Sequence, residues 1–161
     1  MDASQMTHYM GLLASNQPWN LIFYMAIPVL MAETLVATEF IVVHKHLTAG
    51  PLRNFNKWLG IVLGFYYTGI FLNLGIRVVP TITWNTWVDF IAVWFYLLGF
   101  LPLLLIALLE LGLVWRKADT EQKARIHFAL ITIFLYVGHI AMIFGMVNPT
   151  LITGAAGGMK M

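Results

Sequence analysis

Residues 87–115 read WVDFIAVWFYLLGFLPLLLIALLELGLVW. The run is far too apolar for a surface helix, and it is long enough to cross a bilayer, which takes roughly 20 apolar residues in a helix. Lipid offers no hydrogen bonds to an open backbone, so the run must be helical. A Trp stands at each end, Trp87 and Trp115, where indole rings favour the membrane–water interface.

Three further stretches match it, so the predicted spans are about 20–44, 57–78, 87–115 and 126–147. Residues 45–56, 79–86 and 116–125 connect them and carry the breakers Gly50-Pro51 and Pro80. Such short connections make neighbouring helices antiparallel. The expected fold is an all-α integral membrane protein, a four-helix antiparallel bundle forming a single membrane domain over residues 1–161. Pro28 and Pro102 fall inside spans and should kink them. Gly60 with Gly64, and Gly138 with Ala141 and Gly145, form small faces that let helices approach closely.

Orientation follows from the basic residues. Seven of the nine Lys and Arg residues lie at 45–57 and 116–125: Lys45, Arg53, Lys57, Arg116, Lys117, Lys123 and Arg125. The positive-inside rule puts those segments in the cytoplasm and both termini outside. Residues 1–18 carry no Lys or Arg and lack the basic start of a cleaved signal.

Composition agrees. Of 161 residues, 60% are hydrophobic and 10% charged, with a mean hydropathy of +0.81. Soluble domains run near ~25% charged. Cysteine is absent, which excludes disulfides, thiolate metal sites and Cys nucleophiles. No basic patch or base-stacking motif points to nucleic acid. No phosphate loop, nucleophile elbow or zinc-protease motif is present.

Chemistry must therefore come from the ionisable residues inside the spans, each costing about 2.5–3.5 kcal/mol to embed. Counting along the helices from the cytoplasmic ends gives layers. His44 and His127 share the innermost level, Glu39 and Glu110 lie just above it, and Glu33 and His139 lie near the midplane. His44 and His127 could hold haem b between two helices, with His139 as a ligand to a second haem, helped by a Met or by His8, and a quinone near Glu39 and Glu110. Glu39, Glu110, His44 and His127 could instead hold a divalent metal, as facing Glu and His do in bundles. Glu33 and His139 could relay protons. Met6, His8, Met10, Met142 and Met146 are soft ligands on the outer side that suit copper. Arg77 could pair with Asp89 across the outer connection.

The segments Met6-Thr7-His8-Tyr9-Met10-Gly11-Leu12-Leu13, Asn16-Gln17-Pro18-Trp19-Asn20 and His139-Ile140-Ala141-Met142-Ile143-Phe144-Gly145-Met146 resemble a family of small, uncharacterised four-helix bacterial membrane proteins, some labelled permease. That resemblance implies a bacterial inner-membrane location. The layout, though not the His pattern, is similar to that of b-type cytochrome membrane subunits. The expectation is a redox or metal-binding subunit of a larger complex or homo-oligomer. A small proton- or metal-coupled transporter and an accessory subunit without chemistry are the alternatives.

Overall fold

A computed structural model of the chain describes residues 7–47, 49–82, 84 and 86–147. They form a short helix α1 (His8–Ala14) followed by four long ones: α2 (Trp19–His44), α3 (Pro51–Thr81), α4 (Trp87–Glu110) and α5 (Thr120–Met146). The four long helices are each long and apolar enough to cross a membrane. Met6 lies outside the described residues.

Local chemistry sets the boundaries, and two of them differ from the sequence-based ones. Gly50 sits at φ 121°, where a side chain is strained, and Pro51 then opens α3 with its fixed φ. The Gly-Pro pair therefore starts a helix rather than filling a loop, and Arg53 and Lys57 become helical. At the other end of the bundle, α4 stops at Glu110 rather than at Trp115. Gly112, at φ 72°, reverses the chain while its N–H reaches the Leu109 carbonyl (3.0 Å) and that of Leu113 reaches Leu108 (3.0 Å). This is a glycine-terminated Schellman end. Asp119 caps α5 by accepting the Gln122 N–H at 2.6 Å, so Lys123 and Arg125 also lie on a helix.

Contacts run in opposite chain directions between successive helices. Asn56 meets Leu35 and Tyr66 meets Phe23; Arg53 meets Glu110 and Tyr67 meets Tyr96. The core is Leu35, Leu63, Leu103, Ile106 and Ile131, all 0–1% exposed. Phe40, Phe65, Ile76 and Ile133 point outward instead. Lipid tails solvate such side chains, so helix association in a membrane depends on close fit rather than on hydrophobic burial. Gly64 supplies that fit, because a Cβ there would stand 2.5 Å from the Leu103 carbonyl oxygen and 2.7 Å from Ala107 Cβ. On α5, Gly145 receives the ring of Tyr9 from α1, while Gly138 faces open space.

Both prolines disturb their helices as expected. Before Pro28 the helix widens to a π-turn over Ile22–Ala26, and the Ile27 N–H bonds the Ile22 carbonyl. The Phe23 carbonyl then has no backbone donor, since Pro28 has no N–H. Tyr66 Oη donates to it at 2.8 Å. The Tyr24 carbonyl, which also loses Pro28 as a donor, accepts from Tyr96 Oη at 2.6 Å. In α4 the break falls at Gly99, just before Pro102.

Replacing Gly64 by Val should destabilise the protein by about 1–3 kcal/mol, the usual range for overpacking. Gly69→Ala, where a Cβ meets nothing within 4 Å, should leave stability unchanged. Unfolding in SDS followed by circular dichroism separates the two.

Candidate functional site

Four ionisable side chains, one from each long helix, meet at the end of the bundle where α2 joins α3 and α4 joins α5. Glu39 comes from α2, Arg53 from α3, Glu110 from the last residue of α4 and His127 from the early part of α5. Glu39 and His127 are fully buried, and Glu110 nearly so. Arg53 opens α3, so its stem can lie along the helix while its head turns inward. Nη2 donates to Glu110 Oε1 at 2.9 Å, and Nη1 stands 3.8 Å from Glu39 Oε2. His127 Nδ1 lies between the carboxylates, 3.2 Å from Glu39 Oε2 and 3.3 Å from Glu110 Oε1.

Asn56 holds this group in place. Its Nδ2 donates to Thr38 Oγ1 (2.9 Å) and the Leu35 carbonyl (3.3 Å) on α2, and its Oδ1 faces Arg53 Nη1 at 3.5 Å. The hydrogen bonding is incomplete. Neither oxygen of Glu39 and neither ring nitrogen of His127 has an aligned partner among the described residues. Their contacts are thus ion-pair distances without hydrogen-bond geometry. His127 Nε2 faces Gly60, where even an added Cβ would stop 3.8 Å short.

Charge accounting follows. Two carboxylates face one guanidinium, so the group carries one uncompensated negative charge unless one more proton is held on the imidazole or a carboxyl. A buried net charge is expensive. A cleft of about 670 Å³ opens between the C-terminal end of α2 and the N-terminal end of α5, lined by His46, Arg53, Asp119, Glu121 and Arg125. The exposed edge of Arg53 forms part of its wall.

The other sequence-predicted residues fall elsewhere. His44 does not join His127; it is exposed, with its ring stacked on Phe40 at 5.9 Å and 4°. The two therefore do not form a facing pair of axial ligands. Nor does His44 join the carboxylates, and the cation between Glu39 and Glu110 is the guanidinium of Arg53. Among the described residues, no group of three or more His, Asp or Glu side chains, Glu39, Glu110 and His127 included, is arranged so that it could hold a metal ion. Glu33 and His139 are exposed and border one groove between α2 and α5, with Met142 nearby. Met146 is 68% exposed, and Met10 lies half-buried on α1.

Asp89 is paired with His8 rather than with Arg77. His8 Nδ1 contacts Asp89 Oδ2, and the His8 backbone N–H donates to Oδ1 at 2.7 Å. Thr7 Oγ1 donates to the Gly145 carbonyl at 2.6 Å. These bonds fasten α1 across the N-terminal end of α4 and the C-terminal end of α5. Burial pushes the Tyr9 hydroxyl up to about 12, so it stays neutral.

Arg53 and Asn56 are the residues that sequence reasoning missed. A signal was present: positions 53, 56, 60, 64 and 67 form a stripe at three- and four-residue spacing through the Gly60–Gly64 face. Starting the helix at Pro51 places Arg53 and Asn56 on that inward stripe.

Fold and site define a class: a helical protein with four helices long and apolar enough to cross a membrane, joined by a buried ionic cluster. The chain belongs to a family of unknown function, DUF6803, which matches residues 4–161. No curated protein and no solved structure matches it.

Arg53→Met should destabilise the fold by about 3–5 kcal/mol, because it strands buried carboxylates without a counter-charge. Adding Glu110→Gln should restore part of that loss, giving a positive coupling in a double-mutant cycle. SDS unfolding of the four proteins measures it.

Proposed function

We propose that this chain is a minimal proton-coupled membrane transporter, with Glu39, Arg53, Glu110 and His127 as its proton-binding centre. The single observation that carries the reading is the buried gathering of two carboxylates and an imidazole around one guanidinium, beside an open cleft. Intramembrane Glu and His groups are expensive to keep, and proton relays are a common reason for their presence. The incomplete hydrogen bonding of Glu39 and His127 favours exchange, since those atoms have acceptor capacity left over.

In this reading the basic segments and the cleft face the cytoplasm and both termini face outward, as the positive-inside rule asks. The membrane is a bacterial inner membrane. The proton enters through the cleft past Arg53. Its arrival neutralises one of the two carboxylates or charges His127 beside them; either weakens the net attraction on Arg53 and loosens the hold of α3 on α4. The transporter works as a homo-oligomer or docked to other membrane subunits. The redox reading loses its axial pair once His44 turns outward.

Purified protein in lipid nanodiscs should take up about one proton per chain across the cluster's titration, which belongs to the coupled group rather than to one residue. A pH-indicator dye measures the uptake, and infrared difference spectra assign it. Carboxyl bands should change in wild type and be altered in Glu39→Gln and Glu110→Gln. Equal uptake and unchanged bands in both variants would overturn the proposal.

A further inference from the structure

A second site lies between α2 and α5, away from the ionic cluster. The groove between α2 and α5 encloses about 130 Å³. Its floor is aromatic, made by Tyr67, Tyr96 and Phe134, and Tyr9 of α1 borders it. Its rim carries Glu33 from α2 and His139 from α5, both exposed. The opening therefore faces the surrounding lipid.

Three features select an occupant. The first is volume: an engineered protein cavity of roughly 150 Å³ takes one benzene ring. A space of this size accepts a single six-membered ring and little more, leaving any tail in the lipid. The second is the wall, since aromatic rings favour offset or edge contacts with another ring. The third is the tautomer of His139. Its Nδ1 lies 2.7 Å from the Leu135 carbonyl oxygen. A carbonyl only accepts, so Nδ1 carries the proton and donates. In the neutral ring Nε2 is then the acceptor nitrogen of a residue that lines the groove. Glu33 beside it makes no ion pair with any described residue and supplies further acceptor oxygens.

We infer that this groove binds a lipophilic ring hydroxyl from within the bilayer, a quinol or alkylphenol, with the ring over Tyr67 and Phe134 and the hydroxyl donating to His139 Nε2. This is a binding assignment and involves no transfer of electrons. It does not depend on the proton-binding role proposed for the cluster.

Gly138 allows a clean test. A Cβ at this position meets nothing within 4 Å, yet the residue lines the groove. Gly138→Leu should therefore fill the space without disturbing the packing. Calorimetric titration of the full chain in nanodiscs, with empty nanodiscs subtracted, would use decylhydroquinone, 4-decylphenol and 4-decylanisole. Both hydroxyl compounds should bind saturably, and the methyl ether should bind about threefold to tenfold more weakly, the worth of one hydrogen bond. Tighter binding of the hydroquinone would assign the second hydroxyl to Glu33 and a quinol as the occupant. Equal binding would assign a phenol. His139→Phe should abolish the difference between phenol and ether, and Gly138→Leu should abolish saturable binding of all three. Phe40→Leu, on an exposed face away from the groove, should change nothing. Equal affinity for phenol and ether in wild type, or undiminished binding in Gly138→Leu with unchanged helicity, would overturn the inference.

Discussion

One guanidinium, two carboxylates and one imidazole, each from a different long helix, must stay together at one end of an otherwise apolar bundle. None of them can leave without stranding the others in a medium that does not solvate charge. That requirement fixes the depth and rotation of all four helices at one point. The glycine face of α3 then brings α4 close enough for Arg53 to reach Glu110 at 2.9 Å. Asn56 ties the same turn of α3 to α2.

The rest of the polar inventory is assigned with similar economy. At the end of the bundle away from the cluster, His8 and Thr7 fasten α1 to Asp89 and Gly145. In the middle, the hydroxyls of Tyr66, Tyr67 and Tyr96 serve backbone carbonyls around the irregular turns before Pro28 and at Gly99. Such irregular turns are tolerated in a membrane where side chains satisfy the freed backbone groups. Glu39 and His127 are different. They are buried deeply and bonded incompletely, which is unusual for groups whose role is structural.

Much of this was legible in the sequence. Four apolar runs stand out, and each forms one long helix. Counting depth placed Glu39 beside Glu110 and His127 close by, since rise per residue is constant. Depth alone also recruited His44, wrongly. His44 is five residues past Glu39, which turns it well over a third of a turn around α2 and onto the Phe40 side. Arg53 was hidden for another reason. Gly50-Pro51 reads equally as a loop breaker or as a helix start, and only the second reading aims Arg53 inward. The His8–Asp89 contact joins residues far apart in the chain, and no helical period predicts it.

The account stands or falls on whether Arg53 truly lies against Glu110 within the bilayer. Solid-state NMR on the full chain in lipid, with ¹⁵N-labelled Arg and ¹³C-labelled Glu, measures that directly. The guanidinium nitrogens of Arg53 should correlate with the carboxyl carbon of Glu110, and this cross-peak should vanish in Glu110→Gln. A carboxyl carbon of Glu110 that correlates with water and with no arginine would contradict the account.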